Sequence, residues 1–196
     1  MRLVARMRRR LGAQGGYTLV EMLTVLLILG VVMGGLTTVL ASATNADADM
    51  NNRFQAQQAT RLAMDKLRRE IHCSSSATPP ATATSSITLT LPSYCKTYSG
   101  SVSVTWCTRS VSTNRYALYR VNGSTCTGGV KWADFLTPTS TATVCSGALC
   151  VFNYAAQSAT SLAKLHVDFP VNPKPTRTVD TYELVDDLVL RNSTRS

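Results

Sequence analysis

Glu21 is the only charged residue between Tyr17 and Thr44, and it lies at the start of an apolar stretch that runs from residue 22 to residue 43. An ionisable side chain at the edge of a membrane segment is costly and is usually retained for a function. Cleavage of the chain between Gly16 and Tyr17 would create a new α-amino group four residues before this carboxylate. Such an amine, on the same chain or on a neighbouring copy, would pair with Glu21 and fix the axial register between adjacent helices.

The residues around Glu21 indicate a membrane anchor. The apolar stretch is long enough to span a bilayer, which takes about 20 residues. Five arginines in residues 1–16 supply five of the nine net positive charges, so the remaining residues carry +4. The positive-inside bias then places the N-terminus in the cytoplasm and the rest of the chain outside. A secretory signal peptide, cut near the small residues 41–43, is the alternative, but its apolar region is shorter, about 7–15 residues.

The eight residues from Gly16 to Leu23, Gly-Tyr-Thr-Leu-Val-Glu-Met-Leu, resemble the N-terminal motif of type IV prepilins and type II secretion pseudopilins. The resemblance covers about residues 8–45. It implies cleavage by a prepilin peptidase between Gly16 and Tyr17, N-methylation of the Tyr17 amine, and storage in the cytoplasmic membrane before assembly with other pilins through Glu21. Tyr17 stands where the family usually has phenylalanine, and Thr38 where it often has proline.

Gly30 and Gly34 form a G-x-x-x-G pair within the apolar stretch. This spacing permits close contact between membrane helices. Glycine is also common in membrane helices without such a role. The sequence leaves helix packing through these two glycines open.

All six cysteines follow the apolar stretch: Cys73, Cys95, Cys107, Cys126, Cys145 and Cys150. An even number outside the membrane predicts up to three disulfides. A metal site is the alternative, but no C-x-x-C pair occurs and the two histidines are far apart, so we predict neither metal nor cofactor. Cys145 and Cys150 could close a small loop, and Cys107 and Cys126 flank a predicted strand. The connectivity otherwise stays open.

A helix is predicted to continue to about Cys73, because residues 45–71 contain neither proline nor glycine. Pro79 and Pro80 cannot continue it, and the Ser/Thr-rich composition of residues 74–86 predicts a linker. The helix carries a partial apolar stripe at Met50, Phe54, Leu62, Met64, Leu67 and Ile71. Alternating apolar residues then predict strands near residues 87–91, 102–106, 117–121, 149–154, 165–169 and 183–190.

These patterns predict an α+β fold, in which a long N-terminal helix spans the membrane with its first half and packs its second half against an antiparallel β-sheet head. We predict five segments: a cleaved cytoplasmic leader (1–16), a transmembrane and assembly helix (17–43), a continuation under the head (44–73), the linker (74–86) and a disulfide-containing, β-rich head (87–196).

The head offers no strong signal for catalysis, and we predict that the protein is not an enzyme. His166 lies beside Asp168 in an alternating pattern, and a Ser-His-Asp site is recognised by geometry rather than sequence. However, neither a G-x-S-x-G nor an H-E-x-x-H motif is present. An acidic cluster near the C-terminus could hold calcium, but its spacing favours a solvated strand edge. The cluster consists of Asp180, Glu183, Asp186 and Asp187.

DNA binding is possible but not favoured. The head is net positive and has six aromatic residues that could stack on bases: Tyr94, Tyr98, Trp106, Tyr116, Tyr119 and Trp132. No basic run or recognition motif organises them. Four helix residues, Arg61, Lys66, Arg68 and Arg69, are predicted to form a solvated basic face.

We therefore predict a structural subunit, a minor pilin of a type IV pilus or related filament, acting in initiation or at the tip. Such a subunit would be a single-pass protein of the cytoplasmic membrane before it enters a cell-surface or periplasmic filament. A type II secretion pseudopilin is the nearest alternative. A membrane-anchored extracellular binding protein or hydrolase is the alternative from another class.

Overall fold

The computed structural model describes residues 16–98 and 100–191 of the chain. They fall into two units, with the boundary between Asp49 and Met50. One helix, α1 (Leu19–Cys73), accounts for nearly all of the first unit and begins the second. Helix α1 includes a stretch that is long and apolar enough to cross a membrane. The predicted leader lies outside the described residues, apart from Gly16.

Helix α1 ends where the sequence predicts. The Ser74 backbone N–H donates to the Glu70 carbonyl at 2.8 Å, and the Ser74 hydroxyl donates to the Ile71 carbonyl at 2.9 Å. These bonds supply partners for carbonyls that the end of a helix leaves free. Pro79 and Pro80 follow within two turns and prevent any continuation.

Eleven strands follow α1 in the described residues. They are β1 (Ser76–Thr78), β2 (Ala81–Thr84), β3 (Ser86–Thr90), β4 (Ser103–Ser112), β5 (Arg115–Asn122), β6 (Val130–Leu136), β7 (Val144–Cys145), β8 (Ala148–Leu149), β9 (Phe152–Ala155), β10 (Lys164–Val171) and β11 (Tyr182–Val189). A single turn of 3-10 helix at Thr178–Asp180 precedes β11.

Nine strands form one antiparallel sheet in the order β1-β3-β4-β5-β6-β10-β9-β2, with β11 paired to β10 along all eight of its residues. Strands β7 and β8 form a separate two-stranded sheet. Within the second unit, α1 packs against the large sheet, so the predicted α+β class is confirmed.

Apolar residues that face the core alternate along the strands, as predicted. Leu165, Val167 and Phe169 of β10 are fully buried, because successive strand residues point to opposite faces. The residues that α1 buries in the core differ from the predicted apolar stripe. Ala56, Thr60, Ala63, Met64, Leu67 and Ile71 are buried, whereas Met50, Phe54 and Leu62 are more than half exposed.

The prediction of a linker over residues 74–86 is wrong in its secondary structure, since β1 and β2 lie within it. Threonine is β-branched and suits a pleated strand, and Ala77 of β1 is buried in the core. Strand β6 was not predicted. Two register shifts interrupt its pairing with β5, and Phe135 has a φ of 63°. Buried and exposed residues therefore do not alternate regularly along β6.

Three disulfides link the six cysteines, with Cα–Cα distances of 5.9 Å for Cys73–Cys95, 6.1 Å for Cys107–Cys126 and 5.8 Å for Cys145–Cys150. These distances are usual for disulfides. The last two pairs are those that the sequence suggested. The first joins the end of α1 to the segment between β3 and β4.

Candidate functional site

The start of α1 is fixed by Thr18. The Glu21 backbone N–H donates to Thr18 Oγ1 at 3.2 Å, and the Met22 N–H donates to the Thr18 carbonyl at the same distance. Thr18 is therefore the N-cap, and Glu21 is the third helical residue, which is the spacing of a capping box. The carboxylate lies in the first turn, where the helix dipole favours negative charge.

Gly16 and Tyr17 precede the helix and belong to no regular element. Both residues are exposed, and the Tyr17 side chain is 75% accessible. A peptide bond outside regular structure is the kind that a protease can reach. The geometry is compatible with cleavage between these two residues, and a new amine would lie immediately before the helix.

Residues 19–43 of α1 are exposed on every side of the helix. Large apolar side chains such as Leu26, Val31 and Leu40 are 60–70% accessible. A helix that is apolar all round is buried in a membrane or in a larger assembly. A Cβ added at Gly30 or at Gly34 would meet no other atom within 4 Å, so packing through these glycines would require another helix.

The hydroxyl groups of the threonines in this stretch form hydrogen bonds within the helix, a feature that sequence reasoning missed. The hydroxyls of Thr24, Thr37 and Thr38 donate to the carbonyls three residues earlier, at 2.9, 2.9 and 2.8 Å. A hydroxyl with an internal partner does not add an unsatisfied donor in lipid. Glu21 is therefore the one group in residues 19–43 whose charge requires a partner from outside the helix.

The structure does not assemble the Ser-His-Asp arrangement. His166 Nδ1 lies 2.8 Å from Asp187 Oδ1, whereas Asp168 Oδ2 accepts from Thr141 Oγ1 at 2.6 Å. No serine is hydrogen-bonded to His166 within residues 16–98 and 100–191.

Three of the four acidic residues near the C-terminus pair with cationic side chains, and the fourth, Glu183, is exposed. Asp180 lies 2.7 Å from Arg53, Asp186 lies 2.6 Å from Arg68 and Asp187 lies 2.8 Å from Lys164. No group of three or more metal-ligating side chains occurs in the described part of the chain.

Arg61, Arg68 and Arg69 are exposed, as predicted for a solvated basic face, but Arg61 and Arg68 also contact the head, and Lys66 pairs within α1. Arg61 donates to the Tyr182 hydroxyl at 3.2 Å, Arg68 pairs with Asp186, and Lys66 Nζ lies 3.5 Å from Glu70. Sequence reasoning missed this role because the partners on β11 lie more than 100 residues away. Of the candidate stacking residues, Trp106 and Tyr116 are buried in the core, while Tyr94 is 70% exposed.

Residues 11–37 match the family model described as the prokaryotic N-terminal methylation motif. The matched segment includes Gly16, Tyr17, Thr18 and Glu21. No curated protein and no solved structure matches the chain significantly. The match supports a protein of the type IV prepilin-like family.

Proposed function

We propose that this type IV prepilin-like protein is a minor structural subunit of a type IV pilus or a related filament. Prepilin peptidase cuts the chain between Gly16 and Tyr17, and the new Tyr17 amine is N-methylated. The mature protein is held in the cytoplasmic membrane by α1, with its head outside, and then enters a filament through the same helix.

The observation that carries this proposal is the exposure of α1. Its residues 19–43 present apolar side chains in all directions, with Glu21 as the only charge. Lipid can cover such a surface in the membrane, and other helices can cover it in a filament. Met50 and Phe54, which belong to the second unit, are also more than half exposed.

Glu21 supplies the specificity that apolar packing lacks. An unpaired carboxylate in an apolar bundle is strongly unfavourable, and a nearby amine removes that penalty. The amine exposed at Tyr17 of a neighbouring subunit is a suitable partner. Each helix would then be favoured at one axial position relative to the next.

A minor role in initiation or at the tip is favoured by the head. It carries long loops and three disulfides, and the chain retains Glu21, so it can be added beneath another subunit. A type II secretion pseudopilin has the same N-terminal requirements. Deletion of the gene separates the two: loss of surface fibres identifies a pilus, and loss of protein export identifies secretion machinery.

Mass spectrometry of the protein from membranes and from purified fibres tests the proposal. We expect a mature N-terminus at Tyr17 carrying one methyl group. A start near Asn45 would instead identify a secretory signal peptide. A fibre subunit that still contained residues 1–16 would overturn the proposal, because Glu21 would then have no such amine to pair with.

A further inference from the structure

The sheet face opposite α1 carries a row of polar side chains across three strands. Asn153 of β9 pairs in register with His166 of β10, and His166 pairs in register with Asp187 of β11. Asp168 lies two residues beyond His166, so the strand alternation puts it on the same face.

Two depressions in this face share His166 and Asn153 as lining residues. The one of about 370 Å³ is also lined by Lys164 and Asp187, and the one of about 200 Å³ is also lined by Asp168 and Thr141. The smaller of the two is named the Asp168 depression below.

Asp168 is a buried carboxylate with an incomplete set of hydrogen bonds. It is only 6% exposed, and its Oδ2 accepts from Thr141, while its Oδ1 has no hydrogen-bond partner in the described part of the chain. A buried carboxylate oxygen without a donor is unfavourable. Oδ1 is covered by neighbouring atoms, so a ligand in the depression would reach it only after a rotation about χ2, a torsion with broad preferences in aspartate.

His166 adds a second acceptor. Its Nδ1 lies 2.8 Å from Asp187 Oδ1, and an ionised carboxylate can only accept, so Nδ1 carries the proton. Nε2 of the neutral ring is then an acceptor. Hydrogen bonds from Lys164 and His166 lower the pKa of Asp187, which keeps Asp187 ionised and holds the imidazole in this tautomer.

We propose that the Asp168 depression is a binding site for a primary ammonium group, carried by a free amine or by a lysine side chain. The Asp168 carboxylate, His166 Nε2 and the Asn153 amide oxygen offer three acceptors for its three N–H donors. Asp168 and Asp187 against Lys164 leave a net charge of about −1, which favours a cation. A zinc ion would need a third strong protein ligand, and the described residues contain no group of three.

The two histidines of the chain allow a direct test by NMR. The full-length protein in detergent micelles, labelled with ¹⁵N-histidine, is titrated with ethylammonium. We expect a saturable shift of the His166 ring nitrogens and none for His72. Tetramethylammonium at the same ionic strength, which has the charge but no N–H donor, is expected to give no saturable shift. The free protein is expected to show the Nδ1-protonated tautomer of His166.

Asp168→Asn is expected to weaken ethylammonium binding by at least about tenfold, since it removes a charged acceptor. Glu183→Gln is the matched control, because it removes the same charge from an exposed β11 residue that does not line the depression. It is expected to bind like the unmodified protein. Absence of a saturable shift, or equal binding by Asp168→Asn, overturns the proposal, as does saturation by Zn²⁺ but not by ethylammonium.

Sedimentation of the protein in detergent separates the two sources of the amine. Self-association that ethylammonium disrupts and that Asp168→Asn abolishes identifies a lysine side chain of a second copy. Saturable binding of ethylammonium without such self-association identifies a free amine. Both measurements are independent of whether the protein enters a pilus or a secretion filament.

Discussion

Glu70 Oε1 of α1 lies 2.8 Å from Arg120 Nε of β5. The carboxylate is fully buried, and its Oε2 accepts from Trp106 Nε1 at 2.7 Å. One side chain therefore joins the helix to β4 and β5 through charge-assisted hydrogen bonds in the core. Removal of one partner from a buried ion pair is strongly destabilising, because the remaining charge stays in a low-dielectric site.

Glu70→Gln is expected to lower the free energy of unfolding by roughly 3 kcal/mol, since it leaves Arg120 with a neutral partner. Urea unfolding followed by Trp fluorescence measures the change. Asp65→Asn, which alters an exposed pair with Arg68, is the control and is expected to cost less than about 0.5 kcal/mol. Equal effects of the two substitutions would contradict a special role for Glu70.

Asp134 is expected to make stability fall at low pH. Partial burial opposes its ionisation, but hydrogen bonds from Arg115, Lys131 and the Phe135 backbone outweigh burial and lower its pKa from 3.8 to about 2. A carboxyl whose pKa is lower in the folded state stabilises the fold above its unfolded pKa and loses that contribution as the pH falls toward the folded value.

The stabilisation from Asp134 is thus complete above about pH 4 and disappears as the pH falls toward 2. Asp134→Asn is expected to flatten this part of the curve of unfolding free energy against pH. Urea midpoints measured at several pH values for both proteins test this. An unchanged slope in the variant would show that other carboxyl groups cause the acid sensitivity.

Glu21→Gln is expected to leave membrane insertion intact and to reduce incorporation into fibres, because it removes the charge that we propose pairs with the Tyr17 amine. Membrane fractionation and immunogold counts along fibres measure the two properties. Thr24→Ala is the matched control, since the Thr24 hydroxyl already has its partner within α1. Normal incorporation of Glu21→Gln would contradict the proposal that Glu21 sets the axial register of neighbouring helices.

The Cys73–Cys95 disulfide is expected to contribute more stability than Cys145–Cys150. The first closes a loop with a sequence separation of 22 and the second one of 5. Loop-closure entropy then gives about 3 kcal/mol for the longer loop and about 2 kcal/mol for the shorter. Paired Cys→Ser variants compared by urea unfolding provide the test. The reverse order of stabilities would show that factors other than chain entropy dominate.

Gly129→Ala is expected to destabilise the head more than Gly128→Ala. Both residues have positive φ, 83° and 70°, which costs an L-residue about 1–2 kcal/mol. A Cβ on Gly129 would also lie 2.5 Å from the Arg120 carbonyl oxygen, whereas one on Gly128 meets open space. Thermal unfolding of the two variants separates the steric effect from the backbone effect.

The N-terminal motif could be identified from sequence because its residues lie close together, and the methylation-motif family model matches the same segment. Gly16, Tyr17 and Glu21 keep their spacing whatever the rest of the chain does, and Pro79 is a local signal that ends α1. Most strands were predictable for the same reason, since alternation is a short-range pattern.

The contacts of the head could not be predicted, because they join distant residues. Lys66 and Glu70 have the spacing of a solvated helix pair, yet the main partners of Glu70 lie 36 and 50 residues further along the chain. The pairing of Cys73 with Cys95 likewise depends on where the segment after β3 meets the end of α1. Neither the polar row around His166 nor its acceptor groups could be seen before the strand registers were known.

The Cys73–Cys95 bond also has a mechanical consequence. It joins the last residue of α1 to the segment between β3 and β4, so tension applied along α1 passes into that segment through covalent bonds. Residues 74–94 form the loop closed by this bond and are bypassed by the load. Strands β1, β2 and β3 would therefore be shielded when a fibre is stretched, and force spectroscopy should find them unable to extend until the disulfide is reduced.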